Sequence, residues 1–195
     1  MIRVSIFGSI YTVNFYKKMV VIMKHTMDTS LTEYVQKYDS YRVLTRDNRF
    51  FAINNKAKVY CSIQIIKCEK SMLPFEIAES YFHWLSKTSK SIIKTVFENK
   101  TYKLYFCFLK KPLLTLTMIE NNEKKTTFAV SGGILAKRYQ KGRFTFKRAK
   151  ENNTKYVIAL EEFESSLPWL LYRITQAPIH EIVMEKFQKE KGITD

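Results

Sequence analysis

Glycine and proline are scarce in this chain, five and four residues of 195. That excludes collagen-like repeats, Gly/Ser linkers and low-complexity tracts. Cysteine is scarcer still, with Cys61, Cys68 and Cys107 alone. The count is odd, the spacing is irregular, and neither a CxxC redox pair nor a zinc spacing is present. The pattern reads as buried thiols in a reducing cytosol. Long hydrophobic runs are missing too. Arg3, the apolar residues 4–13 and Lys17-Lys18 have the outline of a signal peptide. The apolar stretch is short, broken by hydroxyls and followed by no small-residue cleavage site. It falls far below the roughly 20 apolar residues of a spanning helix. Met19, Met23 and Met27 each offer a start. Residues 1–26 are therefore expected to be a loosely attached extension, with residues 27–195 forming one domain.

Catalytic signatures are lacking as well. No HExxH, GxSxG or suitably placed carboxylate pair occurs. Gly132-Gly133 has no strand-loop-helix fingerprint around it and reads as a turn or bulge. His83, His180 and Glu181 are the tempting residues, but His180 and Glu181 are neighbours on a helical stretch and point apart. No catalytic residue is assigned, and no cofactor or metal is implied.

What the chain has is aromatic and basic. Fourteen Phe and twelve Tyr are enough to build a core and argue against disorder. The formal net charge of +15 favours nucleic acid, anionic lipid or an acidic protein as partner. Coding bias toward Lys, Asn, Ile, Tyr and Phe would give the same excess. The charge divides evenly, +7 over residues 1–98 and +8 over residues 99–195, so no basic tail stands out.

The local patterns give an order of elements. Ser30 with Glu33 suggests a capped short helix over 30–38. Segments 41–46 and 49–54 flank Asp47-Asn48, a two-residue hairpin turn. Residues 58–67 alternate Val59, Cys61, Ile63, Ile65 against Tyr60, Ser62, Gln64, Ile66, the period of a half-buried strand. Pro74 opens a predicted helix over about 75–97, on the stripe Ala78, Tyr81, Phe82, Leu85, Ser89, Ile92, Ile93, Val96. Strands are predicted over 101–109, 113–119, 126–131, 142–149 and 154–163. Short strands so closely spaced read as an antiparallel meander. A second long helix is predicted from Pro168 to about Lys189, kinked at Pro178. Parallel βαβ alternation is absent, so the fold class is α+β.

That order resembles the helix-grip fold of the START-like (SRPBCC) superfamily. Residues 58–67 would be its first strand, 74–97 its helical region, 101–163 its meander and 168–189 its gripping helix. Residues 131–138, Ser-Gly-Gly-Ile-Leu-Ala-Lys-Arg, and the string Leu167-Pro168-Trp169-Leu170-Leu171-Tyr172-Arg173-Ile174-Thr175-Gln176-Ala177 are similar to uncharacterised bacterial proteins of this size. The resemblance implies a curved antiparallel sheet gripping a long, kinked C-terminal helix around a hydrophobic cavity. Trp169, Tyr172 and Arg173 would then line that cavity. The alternative is core packing, with Arg173 exposed.

One further cluster stands out. Lys137, Arg138, Lys141, Arg143, Lys147, Arg148 and Lys150 put seven cations in fourteen residues with no acid among them. On a strand Arg143, Thr145 and Lys147 face one way and Phe144 and Phe146 the other. This is either a phosphate-tracking face or a solvated outer face partnered by Glu161, Glu162 and Glu164. Three readings follow: a cytoplasmic, non-enzymatic binder of a hydrophobic or lipid-like molecule; a basic module that docks on nucleic acid or an anionic surface; and an enzyme without a recognisable motif.

Overall fold

A computed structural model describes residues 2–6, 9–13, 37, 42–46, 49–54, 59–89, 92–137, 141–150, 152–166, 183, 186–187 and 190. Strands β1 (Ile2–Ile6) and β2 (Ser9–Val13) pair as a two-stranded sheet of their own. All other described strands join one antiparallel sheet. They are β3 (Arg42–Arg46), β4 (Arg49–Asn54), β5 (Val59–Lys67), β6 (Ile93–Glu98), β7 (Thr101–Phe106), β8 (Leu114–Asn121), β9 (Lys125–Gly132), β10 (Arg143–Arg148) and β11 (Lys155–Phe163). Their spatial order is β3-β4-β5-β11-β10-β9-β8-β7-β6. The run from β6 to β11 is the predicted meander, each strand beside the next in sequence. The predicted hairpin around Asp47-Asn48 forms, with Arg46 opposite Arg49.

One helix, α1 (Pro74–Thr88), packs on the sheet. Pro74 takes its first position, where a missing N–H costs nothing. The Glu76 carboxylate accepts the Leu73 N–H at 2.7 Å and closes the N-terminus. Ile77, Ala78, Tyr81, Phe82 and Leu85 form its buried stripe, as the spacing predicts.

The second half of the predicted helix is a strand instead. The backbone leaves α1 at Ser89, whose hydroxyl donates to Ser86 O at 3.0 Å and accepts the Ile93 N–H at 3.1 Å. Beyond it Ile93, Thr95 and Val96 are β-branched and favour a pleated surface. Pairing with β7 in register, Ile93 to Phe106 and Glu98 to Thr101, satisfies their backbone.

The helix-grip expectation is overturned with it. The architecture of the described residues is a nine-stranded sheet with one helix of 15 residues. It is not a sheet gripping two long helices. Most of the predicted C-terminal helix lies outside the described residues. Val183, Lys186, Phe187 and Glu190 are helical, and Val183 and Phe187 are buried. Phe187 meets α1: its ring centroid lies 5.1 Å from that of Tyr81 and 5.2 Å from that of Trp84. Trp84 Nε1 donates to Glu190 Oε2 at 2.6 Å beside it.

The core lies between α1 and the face of the sheet that carries Tyr60, Ile66, Tyr102, Leu116, Phe128, Phe144, Phe146 and Ile158. It is largely aromatic. Phe82 stacks on Tyr102 with centroids 4.0 Å apart. Phe128, Phe144 and Phe146 approach Phe82 edge-on at 6.0–6.2 Å. Strand β5 corrects the expectation of a half-buried strand. Cys61 and Ile63 on its second face are as fully buried as Tyr60 and Ile66 on the first. A strand buried on both faces reads as a nearly continuous apolar run.

The buried tyrosines make stability sensitive to alkali. Burial, with the nearby Glu79 carboxylate adding to it, pushes the Tyr102 hydroxyl from its ordinary 10.0 up to about 12. Burial raises Tyr81 as well. A folded-state value above the unfolded one gives stability that is complete below about pH 10 and lost as the pH rises toward about 12. Unfolding by urea, followed from about pH 9 upward, should show that decline. Tyr102→Phe should flatten it, and an unchanged pH profile in that variant would contradict the assignment.

Candidate functional site

The meander sorts its connections to two ends of the sheet. The β6–β7, β8–β9 and β10–β11 connections fall at one end. The β7–β8 and β9–β10 connections fall at the other, where β6 also begins and β11 finishes. The two ends differ in chemistry.

At the first end, two lysines stand beside carboxylates. Lys125 Nζ lies 2.8 Å from Glu120 Oε2, and Lys103 Nζ lies 3.4 Å from Glu98 Oε2. The hydrogen bond from Lys125 holds the Glu120 carboxyl below its usual range. At the second end, residues 107–113 and 133–143 contain Lys110, Lys111, Lys137, Arg138, Lys141 and Arg143 and no acid. Among the described ones, Lys110, Lys111, Lys137, Lys141 and Arg143 are all exposed.

Backbone hydrogen bonds fasten these two connections into one surface. Ile134 N donates to Pro112 O at 2.9 Å and Leu135 N to Leu113 O at 3.0 Å. Cys107 N donates to Ile92 O at 2.9 Å, which joins the start of β6 to the same surface. Ser166 closes the other side, its N–H donating to Leu135 O and its hydroxyl to Ile134 O. Gly133 permits the close approach. Its φ is +113°, and a Cβ there would run into the Leu113 carbonyl. Gly132 ends β9 and Gly133 leads into the turn at Ile134 and Leu135, where the sequence reading placed a turn or bulge. Gly133→Ala should cost on the order of 1–3 kcal/mol from the backbone conformation alone, read as a lower melting temperature. A variant as stable as the parent would show that the two connections are not held together here.

The same surface exposes apolar side chains. Phe108 is 83% exposed, Ile92 47%, Leu109 44% and Ile134 41%. Phe108 projects from the turn after β7, where Leu109 N donates back to Phe106 O at 2.8 Å. Lys110 and Lys111 follow immediately. The result is an apolar prow in a collar of cations.

The seven-cation cluster of the sequence divides on this frame. Lys137, Lys141 and Arg143 lie at the prow end. Lys137 also contacts Glu164 at 3.3 Å, and Arg143 stands opposite Glu161 on β11. Those two therefore have the acidic neighbours that a solvated outer face requires. Lys147 and Lys150 lie toward the other end of β10. Arg148 is on the core side of the strand, and its Nη2 donates to Met72 O at 2.8 Å. Tyr156 holds the same Met72, accepting its N–H and donating to its carbonyl, both at 2.7 Å. Arg148 thus has a structural role in holding Met72. Arg138 lies outside the described residues, as do Trp169, Tyr172, Arg173, His180 and Glu181. His83 is exposed on α1.

Sequence reasoning missed Phe108, Leu109, Lys110 and Lys111, because the strand predicted over 101–109 takes in the first two, whereas β7 stops at Phe106. The available signal was an aromatic and a leucine in a turn, where polar residues are the rule. The thiol expectation also needs correction. Cys61 and Cys68 are buried, and burial pushes the Cys68 thiol up. Cys107 is exposed beside Phe108.

No helix among the described residues is long and apolar enough to cross a membrane. No protein-family model matches the chain. Over 202 aligned residues it is 23% identical to the auxiliary protein GraX of Staphylococcus aureus (strain NCTC 8325 / PS 47). That alignment covers 97% of this chain and 64% of the relative. The chain thus spans under two thirds of that protein's length, and the likeness carries no START-like membership.

Proposed function

We propose that the protein is a cytoplasmic, non-enzymatic module that docks on an anionic surface through the end of the sheet bearing residues 107–113 and 133–143. The observation that carries this reading is the gathering of exposed cations from two fastened connections. Lys110, Lys111, Lys137, Lys141 and Arg143 are brought to one end of the meander; the acids that meet them there, Glu164 beside Lys137 and Glu161 opposite Arg143, come from the end of β11 and the residue after it. Even spacing of charge along the sequence concealed this, because the fold, not the chain order, gathers the cations. A concentration of one sign attracts the opposite sign over a Debye length, about 8–10 Å near physiological salt.

The hydrophobic-ligand reading has less behind it. Its residues, Trp169, Tyr172 and Arg173, lie outside the described ones, and aromatic rings occupy the interval between α1 and the sheet. The test is binding to a soluble polyanion such as heparin. The full chain should bind, and binding should weaken steeply as salt rises. Absence of binding at low salt would refute the proposal.

A further inference from the structure

We infer that the anionic surface is a lipid bilayer, and that Phe108 and Leu109 enter its interface while the surrounding lysines contact the headgroups. This rests on the docking reading above and adds the partner. The argument begins with Phe108, an aromatic side chain 83% exposed at the apex of a turn. Its ring touches Phe106 at 5.7 Å and is otherwise presented outward. Large apolar groups this exposed mark a site of contact when they cluster. Here they do cluster. Cys107 binds the backbone of Ile92, and Ile134 binds that of Pro112, so Ile92 and Ile134 flank the turn that carries Phe108 and Leu109.

The chemistry of the cluster selects the partner. Three of its four members are aliphatic. Aliphatic side chains do not provide the stacked platform by which single-stranded nucleic acid is held, but they partition into hydrocarbon. A second copy of the same prow would bring Lys110 and Lys111 against their equivalents, and like charge opposes that contact. An anionic bilayer satisfies both halves of the surface. Its acyl boundary takes the apolar tip, and its headgroups take the lysines, whose long stems let the ammonium groups reach outward. Each Lys or Arg near an anionic leaflet strengthens binding roughly fivefold, and burying one Phe side chain adds on the order of tenfold to a hundredfold. A single short tip of this kind gives reversible, peripheral attachment.

The experiment uses the full chain, vesicles of phosphatidylcholine with and without phosphatidylglycerol, and heparin as a polyanion without a bilayer. Cys107 is exposed while Cys61 and Cys68 are buried, so a thiol-reactive, polarity-sensitive dye on Cys107 reports on the tip. Expected are co-sedimentation with the phosphatidylglycerol vesicles alone and a blue shift of the dye. The Phe108→Ser/Leu109→Ser variant should lose vesicle binding by about tenfold or more and keep its heparin binding. Phe108→Trp should restore it in the Leu109 parent. Both side chains are exposed, so the fold should persist, checked by an unchanged melting temperature. Vesicle binding indifferent to the serine variant, or a dye that does not shift, would overturn the lipid inference and leave the docking reading standing. Loss of both heparin and vesicle binding in the unaltered protein would overturn the docking reading itself.

Discussion

Replacing Phe82 by alanine should destabilise the protein by about 3–5 kcal/mol, the range for truncating a fully buried phenylalanine. The position is at the top of that range for a structural reason. Phe82 is 1% exposed and sits where α1 meets the middle of the sheet. Its ring stacks on Tyr102 and receives the edges of Phe128, Phe144 and Phe146. Rigid rings on strands β7, β9 and β10 cannot all move inward to fill the space, so a cavity should remain. Against a typical domain stability of about 5–15 kcal/mol, the loss brings the chain close to unfolding. The check is a urea midpoint for Phe82→Ala beside that of Phe97→Ala. Phe97 is 41% exposed on the edge strand β6 and should cost far less. Equal costs at the two positions would contradict the location of the core.

The second large effect concerns binding. Reversing Lys110, Lys111 and Lys141 together to glutamate should weaken attachment to an anionic surface by on the order of 3 kcal/mol or more. That follows from about 1 kcal/mol for each cation lost, with added repulsion from each new acid. It amounts to at least a hundredfold in affinity. All three side chains are exposed, and surface substitutions of this kind usually change stability by less than about 0.5 kcal/mol each. Binding should therefore fall without a matching fall in melting temperature. Gly133 should behave in the opposite manner, since its substitution acts first on the fold.

Much of the fold is legible in the sequence wherever local pattern and tertiary context agree. The pairing of β3 with β4, the five strands from residue 101 to 163 and helix α1 all follow from spacing and turn residues. The failures have separate physical causes. Ile92, Ile93 and Val96 continue the helical spacing of Ala78, Tyr81, Phe82 and Leu85, so periodicity alone extends the helix. β-Branching and an edge position beside β7 decide for strand. Alternation in residues 58–67 suggests one buried face, but Tyr60 and Ile66 on one face and Cys61 and Ile63 on the other are all buried. The helix-grip resemblance came from element order, which says little about how much helix a sheet carries.

The site was legible only in part. Lys137, Lys141 and Arg143 stand out as a run, yet Arg148 in the same run turns to the core and Lys150 goes to the opposite end. What completes the surface is residues 107–113, some 25 positions away in the chain. The β8–β9 pairing and the hydrogen bonds of Ile134 and Leu135 bring them together.

The central claim is that charge acts at one end of the sheet, and two variants of equal net charge test it most directly. One carries glutamate at positions 110, 111 and 141. The other carries glutamate at 70, 124 and 150, where Lys70, Lys124 and Lys150 are equally exposed at the opposite end. The measurement is the affinity of each for phosphatidylglycerol-containing vesicles at one fixed salt concentration. The account predicts that the first variant loses at least a hundredfold. The second should lose less than about tenfold, the part owed to overall charge alone. Equal losses in the two variants would contradict it, and would mean that the +15 charge acts as a whole rather than through a site.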